Sequence, residues 1–137
     1  MTFLLDTNVV SDLRRATPRH ARLRAWFDGQ APDALGLSVV TIGEIRQGIE
    51  QVRRRDPTQA HVLGRWLDDL GRFYADRLVP VDQDVANEWG RLRALRSVPV
   101  VDALIAATAR VHGLTLVTRN VKDVAGLGVV TLDPSRA

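Results

Sequence analysis

Short apolar runs alternating with longer segments of helical periodicity predict an α/β fold for this chain: three layers, α/β/α, around a mostly parallel central sheet. Three observations carry the prediction. Strand-like runs recur at Thr2–Leu5, Leu35–Ser38, Arg77–Val81, Thr115–Thr118 and Val129–Leu132. Between them, Ile42, Ile45, Ile49 and Val52, and again Val85, Trp89, Leu92 and Leu95, repeat at the spacing of one helix face. No internal repeat, low-complexity tract or long linker interrupts the alternation, so residues 1–137 read as one domain, large enough to bury roughly two-thirds of its unfolded surface.

In order, the first strand leads into a short helix over Asn8–Leu13, and Pro18 separates this from a second over Arg19–Phe27. The strand Leu35–Ser38 runs directly into a helix over Val39–Val52. Asp56-Pro57-Thr58 marks a turn and the start of a longer helix to Tyr74, with Val62, Leu63, Trp66, Leu67 and Leu70 expected on its inner face. After the third strand a helix is entered through Asp82 or Asp84 and closed at Val98-Pro99. The last helix, Asp102–His112, is alanine-rich and stopped by Gly113.

The bulk composition excludes several chemistries. With no cysteine there can be no disulfide, no thiolate zinc site and no cysteine nucleophile. The amino terminus has no basic flank and no apolar run approaches the ~20 residues of a membrane span, so the chain is expected to be cytosolic. Net charge is only +3, yet all but one of the 19 basic residues are arginine, Lys122 being the exception. They group as Arg14-Arg15, Arg19 with Arg22 and Arg24, Arg53-Arg54-Arg55, and Arg91, Arg93 and Arg96. Arginine's planar fork suits phosphate oxygens, which points to a nucleic-acid partner; the other reading is a solvated face.

Four acids stand at element boundaries: Asp6, Glu44, Asp102 and Asp123. Asp6 and Asp123 follow strands, and Glu44 and Asp102 fall in what would be the first turns of helices starting near the same edge. Ligands of open α/β sheets bind beyond the carboxyl ends of the strands, so all four can converge there. Taken singly, each has an ordinary reading. Asp102 resembles a helix N-cap, Asn120-Val121-Lys122-Asp123 a capping box with aspartate in place of glutamate, and Asp6-Thr7-Asn8 a turn. Glu44 is flanked by Gly43 and Gly48, whose helical cost of roughly 0.8 to 1 kcal/mol each implies a close approach to that face. Clustered carboxylates repel one another unless protonated or neutralised, and magnesium or manganese accepts such oxygen ligands. His20, His61 and His112 show no ligand spacing, so a histidine-driven reaction is not expected.

The segments Phe3-Leu4-Leu5-Asp6-Thr7-Asn8-Val9-Val10-Ser11, Leu37-Ser38-Val39-Val40-Thr41-Ile42-Gly43-Glu44-Ile45-Arg46-Gln47-Gly48, Val101-Asp102-Ala103-Leu104-Ile105-Ala106-Ala107-Thr108-Ala109 and Leu116-Val117-Thr118-Arg119-Asn120-Val121-Lys122-Asp123 resemble, in order, the PIN-domain ribonucleases, and among them the VapC-like and FitB-like toxins of toxin–antitoxin pairs. The chain departs from that pattern at Val124, where the family often has phenylalanine, and at Asp133-Pro134, where it often has Asn-Pro. The resemblance implies a PIN-like fold and an endoribonuclease dependent on Mg2+ or Mn2+, hydrolysing RNA phosphodiester bonds with a metal-activated water. Asp6 and Asp102 would be the most direct metal ligands, with Glu44 and Asp123 completing the cluster through water or a second ion. Asn8 would orient Asp6, Thr118 and Asn120 would assist, and Arg14, Arg15, Arg46 and Arg119 would meet RNA phosphates. The partners implied are RNA, a small antitoxin and a second copy of the chain. Val9, Val10, Leu13, Ile45 and Ile49 either line the antitoxin's groove or are core. A haloacid-dehalogenase phosphatase would need a second aspartate where Asn8 stands, and the aspartate of a receiver domain would not lie in a turn as Asp56 does. The remaining alternative is a non-catalytic PIN-like module that binds RNA or protein.

Overall fold

The computed structural model describes residues 1–15 and 17–136. Strand β1 (Phe3–Leu5) passes through Asp6 into helix α1 (Thr7–Arg15), and a 3-10 turn at Pro18–His20 precedes α2 (Ala21–Asp28). Strand β2 (Leu35–Ser38) then enters α3 (Val39–Arg53), followed by α4 (Pro57–Phe73) and β3 (Leu78–Val79). The second half holds α5 (Gln83–Leu95), α6 (Val100–Val111), β4 (Thr115–Val117), a 3-10 turn at Val121–Val124 and β5 (Thr131–Leu132).

The strands lie in the order β3-β2-β1-β4-β5, and every pairing is parallel. Central β1 matches Phe3 to Leu35 on one side and Phe3 to Thr115 on the other. Leu4 and Leu5 are both fully buried because successive strand side chains face opposite ways into separate cores. Leu4 and Leu116 join the core beneath α5 and α6, while Leu5, Leu37 and Val117 join the one beneath α1 to α4. That division produces the three layers. It also makes the chain reverse its direction of travel across the sheet at β1, opening a crevice between the carboxyl ends of β1 and β4.

Helix starts follow from local hydrogen bonding. Ser38, at the end of β2, accepts from the Val40 amide at 3.0 Å, Asp56 accepts from Gln59 at 3.0 Å, and Asp82, rather than Asp84, accepts from Val85 at 3.0 Å. Helix α6 begins earlier than expected, after Pro99 and with no side-chain cap, so Asp102 is a first-turn residue and not the N-cap. Gly113 closes α6 with φ +64, a conformation that costs glycine nothing. Strand β3 stops short of Val81 because Pro80 has no amide to continue a ladder.

Two expected core positions are exposed. Val62 is 56% accessible because Ala60, Leu63 and Leu67 take the inward stripe of α4. Leu95, at 67%, is the last residue of α5, and Val98 fills the buried place three residues on. Val9, Val10, Ile45 and Ile49 are buried in the core under α1 to α4, whereas Leu13 is half-buried. A carbon added at Gly43 or Gly48 would meet nothing within 4 Å, so the close approach expected beside Glu44 is not made by this chain's described residues. Among the described residues, no helix is long and apolar enough to cross a membrane.

Urea unfolding checks the packing of α4 directly. Leu67→Ala should cost about 2–5 kcal/mol by emptying a buried site, while Val62→Ala should stay within about 0.5 kcal/mol of wild type.

Candidate active site

Asp6 is where β1 becomes α1, and the transition itself fixes the residue. Its amide donates to the Val117 carbonyl at 2.9 Å, continuing the pairing with β4, and its carbonyl accepts from Val9 and Val10 at 3.1 and 3.2 Å, opening the helix. The half-buried carboxylate is held at both oxygens. Oδ1 accepts from the Thr7 amide at 2.8 Å, and Oδ2 accepts from the Thr118 hydroxyl at 2.8 Å and from Asn8 Nδ2 at 3.1 Å. Thr118, buried just past β4, in turn accepts from the Asn120 amide at 3.1 Å. Asn8 thus orients Asp6, as expected, and Asn120 acts on it through Thr118 by its backbone.

Glu44 belongs to the second turn of α3 rather than the first. Its Oε1 accepts from the Thr7 hydroxyl at 2.5 Å. Since that hydroxyl has one proton, its 3.0 Å contact with Thr41 Oγ1 must be completed by the Thr41 proton. Thr7 therefore links the two acids, with its amide on Asp6 and its hydroxyl on Glu44. Sequence reasoning passed over Thr7 and Thr41; the available signal was a hydroxyl directly after Asp6 and another one helical turn before Glu44.

Asp6, Asp102, Asn120 and Asp123 line one small gap with Ile105, Leu116 and Val124, at the crevice between β1 and β4. Its volume is about 20 Å3, enough for one water or a bare ion. Burial raises the Asp102 carboxyl above its ordinary value of 3.8, and the charges of Asp6, Glu44 and Asp123 raise it further. Burial also raises Asp6, against the opposing hydrogen bonds from Thr118, Thr7 and Asn8, with the Asp123 charge adding to the rise. Asp102 thus feels the charges of the other three acids, and Asp6 that of Asp123. As they stand, no three carboxylates or imidazoles among the described residues are gathered tightly enough to chelate a metal ion. The Asn8 Oδ1 atom is buried without a hydrogen-bond partner.

The arginines expected to meet phosphate all have partners within the chain. Arg14 stacks over Trp66 at 5.6 Å, Arg46 lies 3.5 Å from Glu50, and Arg15 and Arg119 lie 3.8 and 3.3 Å from Asp12. His20 also faces Asp12, at 3.8 Å, while His61 and His112 are exposed on or beside other helices. No histidine lines the acidic gap. A larger apolar groove of about 440 Å3 lies between α1, α2 and α4, lined in part by Val10, Leu13, Arg14, Trp66, Phe73 and Tyr74. Of the five residues considered for a docking groove, only Val10 and Leu13 reach it.

The PIN domain family model matches residues 3–123. The chain is 34% identical to the VapC ribonuclease Y4jK of Sinorhizobium fredii and 31% identical to the toxin FitB of Neisseria gonorrhoeae, each over 96% of both chains. Among solved structures it resembles FitAcB from Neisseria gonorrhoeae with a TM-score of 0.90 at 30% identity, covering 99% of this chain and 100% of that one. It also resembles a toxin-antitoxin complex from Klebsiella pneumoniae, with a TM-score of 0.69 at 26% identity over 97% and 98% of the two chains.

The raised Asp102 carboxyl has a measurable sign. Its ionised form is disfavoured by the fold, so stability is lost as pH rises from the ordinary 3.8 through the raised value. In chelator near neutral pH, Asp102→Asn should therefore melt higher than wild type. The difference should shrink on acidification and vanish below 3.8, where both forms are neutral.

Proposed function

The chain belongs to the PIN-domain family, and from that premise we propose that it is a metal-dependent endoribonuclease acting as the toxin of a toxin–antitoxin pair. The observation that carries the chemistry is the ion-sized gap lined by Asp6, Asp102 and Asp123. An all-oxygen donor set at a site where burial and neighbouring carboxylates raise Asp6 and Asp102 fits a hard divalent cation, Mg2+ or Mn2+. Relatives named as a ribonuclease and a toxin support the substrate and the role.

In this reading Asp6 and Asp102 hold the ion most directly, and Glu44 and Asp123 complete the cluster through water. A bound divalent cation would lower the pKa of a water and shield the phosphate's negative charge. The protein's own work is orientation. Thr7, Asn8 and Thr118 leave Asp6 little freedom to turn, and Thr7 aims Glu44 at the same edge. Asp102 rides on a helix whose buried face, Ala103, Ile105, Ala106 and Ala107, is locked into the core. No side-chain nucleophile is needed. The alanine-rich face lets α6 sit close to the sheet and bring Asp102 to the end of β1.

The groove between α1, α2 and α4 is the docking place we assign to the antitoxin. An apolar trough with Trp66, Phe73 and Tyr74 in its wall and Arg14, Arg24 and Asp69 around it suits an amphipathic segment. An arginine carried from there onto the acids would be well matched to paired carboxylates. Self-association as a homodimer completes the assembly proposed, in the cytosol where its RNA substrate lies.

Purified protein should cut labelled cellular RNA at discrete positions with Mg2+ or Mn2+, and chelator should abolish the cuts. Asp6→Asn and Asp102→Asn should each reduce cleavage to the chelated level. RNA binding that persists with no cleavage under either metal would overturn the enzyme and leave a non-catalytic binding module.

A further inference from the structure

Asp12 is a buried carboxylate that the acidic cluster does not use. Its side chain, on α1 one turn after Val9, is 3% exposed, and its Oδ1 has no hydrogen-bond partner. Burying a carboxylate is costly unless cations surround it, and three basic groups from three segments do so. Arg15 of the same helix and His20 of the following turn approach Oδ1 at 3.8 Å, and Arg119 approaches Oδ2 at 3.3 Å. Arg119 is the immediate neighbour of Thr118, whose hydroxyl donates to Asp6 Oδ2 at 2.8 Å. Two adjacent side chains of one turn therefore grip α1 at two places, Thr118 at its first residues and Arg119 further along.

We propose that the Asp12–Arg119 pair is a pin that holds the Thr118–Asn120 turn in register with α1 and thereby keeps the Thr118 hydroxyl on Asp6. Arg119 is then a positioning residue for the metal-binding carboxylate and not a contact to RNA phosphate. The Thr118 amide, bonded to the Leu132 carbonyl at 3.0 Å, and its hydroxyl on Asp6 hold the start of the turn; the Arg119 tether to Asp12 fixes the next residue against α1 as well. The pin's energy comes from Asp12, which cannot find solvent when Arg119 lets go. This inference rests on the nuclease reading above, since it assigns a role relative to Asp6 as a metal ligand.

The test compares wild type, Arg119→Met, Asp12→Asn and the double variant in RNA cleavage kinetics and in Mn2+ binding measured by calorimetry without RNA. Outer contacts of metal ligands commonly govern metal affinity or activity by about 10- to 100-fold, so each single variant should lose about tenfold or more in Mn2+ affinity and in kcat. KM for RNA should be unchanged, and the double variant should be no worse than Arg119→Met because Asp12 acts through Arg119. A rise in KM with kcat and Mn2+ affinity intact in Arg119→Met would make Arg119 a phosphate contact and overturn the pin. Additive losses in the double variant, or a lower melting temperature with both readouts intact, would overturn it as well. Should Asp12→Asn fail to fold, Arg119→Met decides alone, since Arg15 and His20 still face Asp12 there. Wild type that neither cuts RNA nor binds Mn2+ sinks the nuclease reading; active wild type with unaffected variants sinks only the pin.

Discussion

The carboxylate of Asp6 is fixed at the margin of an apolar sheet by donors to both of its oxygens, and the surrounding architecture supplies them. Burial disfavours its charge and raises its pKa, and the Asp123 charge adds to the rise. Three donors on two oxygens oppose the rise, and each comes from a different kind of structure: the Thr7 amide from the helix start, Asn8 from one turn of side chains, Thr118 from the end of the neighbouring strand. The first two are local to the Asp-Thr-Asn sequence. The third exists only because β1 and β4 are adjacent and parallel, which ties the chemistry to the topology.

That adjacency follows from how the chain divides its helices. Helices α1 to α4 cover one face and α5 and α6 the other, so the crossing from β3 to β4 carries the chain past β1 and leaves the crevice open on its far side. Asp6 reaches the crevice from the end of β1, Asp123 from the 3-10 turn that follows β4, and Asp102 from α6, with alanine on its buried face. Glu44 comes from α3, started at the end of β2 by the Ser38 cap. Three acids from distant parts of the chain line one gap because parallel strands put their carboxyl ends on one edge, and Glu44 is tied to them through Thr7.

Much of this was legible in the sequence, and the failures have particular causes. The strand Leu35–Ser38 and the start of α3 were readable to the residue because a serine cap follows an unbroken apolar run. The convergence of Asp6, Asp102 and Asp123 on one gap was readable because each stands near an element boundary, whereas Glu44 falls one turn deeper in α3 than its sequence position suggested. Asp102 as an N-cap was the wrong reading, since Pro99 starts the helix without needing a side-chain acceptor. Val62 and Leu95 were misplaced because periodicity defines a stripe but not its width or where the neighbouring wall ends. The partners of the arginines were illegible: whether Arg119 faces solvent or Asp12 is decided by residues 107 positions apart meeting across the fold, and arginine spacing holds no trace of it. Asp12 itself, a lone acid inside the Val9, Val10 and Leu13 stripe, was the one signal available.

In the function proposed, a divalent ion sits in the gap between Asp6, Asp102 and Asp123. The most direct measurement is a crystal grown with Mn2+ and recorded at a wavelength where manganese scatters anomalously. The account predicts an anomalous peak in that gap, within bonding distance of an Asp6 oxygen and an Asp102 oxygen, and no peak there in Asp6→Asn. Ribonuclease-active crystals with the gap empty of manganese, or with the ion held elsewhere in the chain, would contradict it.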